Sequence, residues 1–463
     1  MESLTGGTIF KLRGVQLYQT NMLILLLIWL AVGIWLATQR RSAGLPLAYF
    51  LGVSLVHIPG AMVHFDSEEW DFTRLGFEQT VIGMVAFLAG VIAARSVKLY
   101  VERGSATQMQ ALAPQALVRL ERIGLYYVFI GIIIFFLVMR FSMSGMGAIL
   151  LTLSSLIVVG FCLRLWVARQ QRNSQKLWFT VTLLPLLPLA TVIQIAFVSF
   201  SVSWLLIIGS FLFAQSKRRL GYFLLAPVFW FVGLSIFVNY AATRVEIRQL
   251  TWYQGASLDD RLQRIADTFR NFDWFDGSNL SHRSAIDIRL NQNFFVGLAV
   301  ARLESGIVQY ASGAGLGEMI MALIPRAIWP EKPVVGGGKT VVQDFTGIEV
   351  AEGTSYGAGQ VLEFYVNFGT LGVIGGFLLY GWLFGWMDLS VMKYLPLGDQ
   401  RLLTPFLSCI ALLKPEGNLL EVVVGVAAAV IMGYCLRRLF NRYAPMPAAA
   451  NLLQPIADRY RAP

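Results

Sequence analysis

The chain is predicted to be an all-α polytopic membrane protein, and three observations predict it. Its 463 residues are 56% hydrophobic and only 14% charged, where a soluble chain carries charge on about a quarter of its residues. The mean hydropathy is +0.62, and the apolar residues fall in blocks of about 17–25, the length that crosses a hydrocarbon core about 30 Å thick. Lys and Arg gather in every second connection between those blocks, as the positive-inside rule asks of a chain woven through a bilayer.

The blocks run in order along the chain. The first, 21–38, has no small-residue cleavage site behind it and reads as an uncleaved membrane helix. The second, 45–62, leads into an acidic and aromatic stretch, and the third, 80–94, into a basic one. The fourth and fifth, 125–138 and 146–163, form a hairpin through "RFSMSG". The sixth and seventh, 177–193 and 197–214, turn tightly near "SFSVS"; read as one helix instead, they would invert the orientation of every later block. The eighth, 222–238, enters a long polar interruption, and the ninth, 361–387, leaves it. The tenth and eleventh, 403–413 and 422–435, flank "KPEGNLLE".

About eleven transmembrane helices (10–12) are expected, with the amino terminus outside, the carboxyl terminus in the cytoplasm, and only Lys11 and Arg13 on the wrong side. The organisation predicted is a bundle of about eight helices over 1–240, an outer loop carrying short helices over 241–358, about three helices over 359–442, and a cytoplasmic tail over 443–463. The two halves do not resemble each other, unlike the repeats of many secondary transporters.

Cys162, Cys409 and Cys435 all lie in apolar blocks without metal-ligand or redox spacing. His57, His64 and His282 form no HExxH pairing, and the first two are expected to be packed. Chemistry is therefore sought in the long loop. Its first third alternates Arg244, Arg248, Arg261, Arg264 and Arg270 with Glu246, Asp259, Asp260 and Asp267, the pattern of a solvated helix with surface ion pairs. Arg283, Arg289, Arg302 and Arg326 instead sit among apolar and small residues. A guanidinium there needs either an assigned structural partner or an anionic ligand, and its planar fork suits phosphate.

"LGEMIMALIPRAIWP" is apolar but too short to span, so it lies along the interface or dips in and returns. "EKPVVGGGKT", with Lys332, lacks the strand and spacing of a nucleotide loop and reads as an external lid. "GQVLEFYVNFG" sets Glu363, Tyr365 and Asn367 at the outer mouth of the ninth helix. An acid there faces the bundle interior or a water-filled cavity. Glu363 is either a base or hydroxyl-orienting group, or a cap or ion-pair partner of Arg302 or Arg326. Arg140 either joins an anion site or snorkels, and Lys414 and Glu416 are placed to face the same cavity.

The stretch "IPRAIWPEKP … FTG … YGAGQVLEFYVNFGTLGVIGG", with the many spans and one dominant outer loop, resembles the bacterial Wzy-type O-antigen and oligosaccharide repeat-unit polymerases. Their architecture is shared with the O-antigen ligases. The motif-level likeness covers 283–385, and an arginine followed after ten residues by a glycine recurs at Arg302 and Gly313. The resemblance implies a GT-C-like glycosyltransferase of the bacterial inner membrane, working at the periplasmic face without metal or cofactor. It would move a glycan from undecaprenyl pyrophosphate onto an incoming lipid-linked repeat unit. Arg283, Arg289, Arg302, Arg326, Lys332 and Arg140, with Tyr365 and Asn367, would bind pyrophosphate and glycan, and Glu363 or Glu304 would serve the acceptor hydroxyl. A flippase and a chain-length-regulating co-polymerase are the implied protein partners, the bilayer its setting; no nucleic acid is expected. The rival readings are a ligase, which would need His282, a flippase, which would line its spans with cations, and a scaffold.

Overall fold

The computed structural model describes residues 21–65, 71–102, 114–140, 147–195, 199–216, 219–250, 257–324, 329, 331, 337–350 and 357–443. Regular structure among them is helical. The amino-terminal part holds α1 (Met22–Thr38), α2 (Leu45–Val63), α3 (Phe72–Glu102), α4 (Pro114–Arg140), α5 (Gly147–Ser154), α6 (Leu156–Gln170), α7 (Ser174–Thr182), α8 (Leu186–Ile195), α9 (Ser199–Ala214) and α10 (Arg219–Arg248). Five short helices come next: α11 (Leu258–Arg270), α12 (Leu280–Arg289), α13 (Gln292–Glu304), α14 (Ala314–Ala322) and α15 (Gly338–Thr346). The chain closes with α16 (Gln360–Tyr394), α17 (Leu403–Leu412) and α18 (Leu419–Tyr443).

Eight helical stretches are long and apolar enough to cross a membrane, and three shorter apolar helices, Met22–Thr38, Ser199–Ala214 and Gln400–Leu412, fall on the remaining apolar blocks. The sixth and seventh blocks are separate helices, tied where Thr191 donates to Ser201 at 2.9 Å.

At the centre, α3 and α16 run parallel, with Gly83 against Phe377 and Gly385 against Ala94. Their backbones touch: a Cβ on Gly381 would lie 1.9 Å from the carbonyl oxygen of Phe87, the close approach that small residues permit between membrane helices. Helix α2 runs antiparallel beside them, its Tyr49 ring 5.0 Å from Phe87 and 4.8 Å from Phe384. At the end of the bundle away from the long loop, fully buried Asp388 accepts the backbone N–H groups of Ala43 and Leu45 and pairs with Arg95 at 3.3 Å. Such a buried charge persists because every oxygen has a donor.

Two features alter the expected organisation. The ninth block is not one continuous helix. Phe368 (φ −143°, ψ 22°) and Gly369 (φ 61°, ψ −151°) break α16, and residues 360–367 double back along the longer segment 370–394. Phe364 stacks edge-on with Phe377 at 5.4 Å and Tyr380 at 5.8 Å, whereas a straight helix would hold residues 364 and 380 about 24 Å apart. Helix α17, with ten residues, climbs only about 15 Å, half the hydrocarbon thickness. The Lys414–Asn418 turn therefore stays inside the bundle, where Pro415 meets Gly52 in the first half of α2.

The loop itself is partly core. α10 continues two turns past residue 240, and α13 sends Val296, Val300 and Leu303 into the main hydrophobic cluster. It lies on α3 where a Cβ on Gly297 would meet the Phe72 carbonyl at 1.8 Å.

Candidate functional site

The doubled-back segment carries Glu363 down into the bundle rather than leaving it at an outer mouth. Gln360, at its start, accepts from the Tyr49 hydroxyl at 3.1 Å and donates to the carbonyls of Lys414 and Gly417. Tyr49 packs between Tyr380 and Phe384, ten to fourteen positions beyond Thr370 and so about 15–20 Å from the break. Buried Glu363 accepts the backbone N–H of Leu419, the first residue of α18. A carboxylate there satisfies one orphan donor and meets the positive end of the helix dipole. Its other oxygen has no hydrogen bond among the described residues, and the buried Tyr380 hydroxyl, likewise without a partner among them, lies within electrostatic reach.

Beside it stands a cluster that the loop's charge pattern concealed. Arg244 donates to the Tyr240 hydroxyl, Arg289 of α12 acts electrostatically on both Arg244 and Arg248, and Glu416 answers Arg244 and Arg289 from the α17–α18 turn. Glu416 is exposed to solvent, yet protein charges act on it from several sides, Arg244 and Arg289 attracting its carboxylate and Glu421 repelling it. A group both reached by water and surrounded by protein lines a recess. Buried Gln292, whose Oε1 has no partner among the described residues, points at the same place, 3.5 Å from where a Gly359 Cβ would sit.

Arg244 and Arg248 thus depart from the surface-pair reading, which fits their neighbours: Arg264 pairs with Glu246, and Arg270 with Asp267 at 3.1 Å. The missed signal was spacing, since Tyr240, Arg244 and Arg248 repeat every four residues and share one face of α10.

The other expected site residues separate. Arg283 donates to the Val63 carbonyl at 3.2 Å and closes the end of α2. The Arg302 guanidinium lies against Gly347, its Nε buried and without a partner among the described residues. Glu304 accepts the hydroxyls of Tyr310 at 2.7 Å and Tyr365 at 2.8 Å. Because Tyr365 and Glu363 are two residues apart on a helix, Glu304 and Glu363 occupy different faces of it. Asn367 bonds the Glu363 carbonyl and accepts from Gly313, fixing the start of α14. Arg326, Lys332, the Arg140 side chain and the tail from residue 444 lie outside the described residues.

The histidines each have partners within the fold. His57, Asn293 and Thr80 form a buried network, with His57 to Asn293 at 2.6 Å. His64 bridges Asp71 and Asp287 at 2.8 and 3.0 Å. His282 accepts from the Asp276 backbone N–H and stacks on Phe275.

Fold and recess together define a polytopic helical membrane protein with a charged interior site. Residues 50–393, nearly three quarters of the chain, match the family described as a domain of unknown function, DUF8712, and the chain belongs to that family. Neither a curated protein nor a solved structure matches it.

Proposed function

We propose that the protein is a polysaccharide repeat-unit polymerase acting on glycans carried by undecaprenyl pyrophosphate. The observation that carries this reading is the cluster of Arg244, Arg248 and Arg289 with Glu416, on the α17–α18 turn that leads to the α18 start capped by Glu363. Fixed guanidiniums suit a pyrophosphate leaving group. A carboxylate with one oxygen committed to α18 and the other uncommitted suits the acceptor hydroxyl.

In this reading the acceptor oxygen attacks the anomeric carbon of the donor glycan. The bond from that carbon to pyrophosphate breaks, and the leaving oxygen departs with the electron pair towards the arginines. The acceptor proton passes to Glu363. The chain is then a GT-C-like glycosyltransferase of the bacterial inner membrane, needing no metal, with eleven apolar segments entering the bilayer. Its amino terminus and long loop are periplasmic and its carboxyl terminus cytoplasmic. It works with a flippase that delivers repeat units and a co-polymerase that regulates chain length.

Arg244 and Arg248 belong to a stretch apolar enough to span the membrane, which also suits a flippase of the same lipid. A glycan ladder from cells lacking the chain separates the two. Complementation with Arg244→Ala or Arg289→Ala should leave single repeat units that have reached the outer face. Repeat units retained on the cytoplasmic side would favour the flippase, and an unchanged ladder would overturn both.

A further inference from the structure

The Glu304 cluster lies apart from the arginines, at the edge of the core. One carboxylate oxygen takes two tyrosine hydroxyls, from Tyr310 and Tyr365, while the other has no hydrogen bond among the described residues. Glu304 itself is exposed. Tyr365 is 1% exposed and acts from within the core, whereas Tyr310 is 37% exposed and offers its ring to solvent. The two ring centroids are 6.3 Å apart.

The loop that presents Tyr310 is pinned at both ends. Ile307 and Val308 donate to the Arg302 carbonyl at 3.0 and 3.3 Å, and Ala311 donates to the Val366 carbonyl at 2.9 Å. The Tyr310 hydroxyl stands 3.3 Å from where a Gly369 Cβ would lie, so the cluster sits on the turn that reverses α16. Half-exposed Phe368 belongs to the same turn.

From this geometry we infer that Glu304, Tyr310 and Tyr365 form a neutral-glycan subsite at the loop end of the bundle, separate from the arginine recess. An ionised carboxylate accepts but cannot donate, so it selects hydroxyl or amide donors and repels anions. An exposed tyrosine ring offers an amphipathic face beside it. A carboxylate already oriented by two hydroxyls, on a loop already ordered, loses little freedom when a ligand arrives. Sugar rings carry both features such a site reads: rows of hydroxyl donors and an apolar C–H face. In the polymerase reading, on which the glycan identity rests, this subsite holds the chain that has left the recess.

The test uses the full chain in nanodiscs of phosphatidylglycerol, which present no lipid amine to compete for the carboxylate. The probe is the host's own polysaccharide released from its carrier by mild acid, and binding is read by saturation-transfer NMR. Wild type should bind, Glu304→Gln and Tyr310→Ala should weaken binding at least about tenfold, and Tyr310→Phe, which keeps the ring, should weaken it less. The ladder in cells carrying Arg244→Ala or Arg289→Ala is read in parallel. Thermal midpoints within a few degrees of wild type confirm folding, and Tyr310→Phe and Glu304→Gln are the conservative variants if Tyr310→Ala is unstable. Wild type that binds no glycan, or binding unmoved by all the Glu304 and Tyr310 variants, overturns the subsite. In the same cells, loss of the ladder in the arginine variants would leave the polymerase reading standing in that event, whereas an unchanged ladder would remove that reading and not the binding.

Discussion

Glu363 accepts the backbone N–H of Leu419, and that bond joins the doubled-back half of α16 to the start of α18 inside the bundle. The contact gives the carboxylate two separable duties. As a cap it needs only an acceptor oxygen; as a base it needs a charge. Glu363→Gln keeps an acceptor and should retain the wild-type thermal midpoint while abolishing the ladder. Glu363→Ala should lose both, with a stability cost of about 1–2 kcal/mol for an orphaned buried N–H. A fluorogenic maleimide reading exposure of the buried Cys162 and Cys409 in a Cys435→Ser background measures the midpoint. A polymerising Glu363→Gln would reduce the residue to its cap.

Arg289 lies within electrostatic reach of Arg244 and Arg248, and among the described residues Glu416 is the carboxylate that counters Arg244. Arg244 and Arg289 repel each other, and an anion bound between them would relieve that repulsion. Arg289→Ala should therefore leave the ligand-free protein as stable as wild type or more so, while lowering polymer yield about 10- to 100-fold, the loss of one charge-assisted contact. Added inorganic pyrophosphate should raise the wild-type midpoint and not that of the variant. Equal stabilisation of both would place the anion elsewhere.

How far the sequence revealed this arrangement depended on the kind of signal. Hydropathy marked the apolar blocks on which the described helices fall, because desolvation acts on whole blocks, and α8 and α9 are separate helices, with "SFSVS" opening α9. The reversal at Phe368–Gly369 was not. Residues 360–367 lead without a break in sequence into the apolar run that follows, and a single glycine in a glycine-rich run does not announce a positive φ. Arg244 and Arg248 were hidden by Glu246, adjacent in sequence but paired with Arg264, whereas their four-residue spacing with Tyr240 was visible and carried the information. The pairing of Glu304 with Tyr310 and Tyr365 joins positions up to 61 residues apart, a distance no local pattern reports.

His64 joins the end of α2 to Asp71, just before α3, and to Asp287 of α12. The bonds to Asp287 and then Asp71 raise its pKa from 6.5 to about 9. Burial alone would raise Asp287, but its bonds to His64 and Asn291 carry it below its ordinary 3.8. The histidine contribution to stability is complete below its unfolded pKa of 6.5 and is lost as pH rises through about 9. The Asp287 contribution is present above 3.8 and is lost as pH falls through its lowered folded value. The thermal midpoint should thus fall between pH 7 and 10 in wild type and change less over that range in His64→Gln. Parallel pH profiles for the two proteins would show that the bridge contributes nothing.

Gly369 holds the reversal of α16 together. Its φ of 61° and ψ of −151° lie in a region nearly reserved for glycine, and Gly369→Ala should cost about 1–3 kcal/mol. The reversal also makes a geometric prediction independent of stability. Gly376 lies so close to the Phe364 ring that a Cβ would meet it at 2.5 Å, whereas a continuous helix would set residues 364 and 376 about 18 Å apart along its axis. Phe364→Cys with Gly376→Cys, in a Cys435→Ser background, should form a disulfide on mild oxidation, detected by mass spectrometry of the joined peptides. Residues 364 and 384, on the same two segments but twenty apart in sequence, should not cross-link. Adding Gly369→Ala should lower the yield of the first bridge, because a helix that straightens at that residue carries Phe364 away from Gly376. A doubly substituted chain that stays fully reduced, while retaining its thermal midpoint, would mean that α16 runs straight and that Glu363 lies at the mouth of the bundle rather than in its recess.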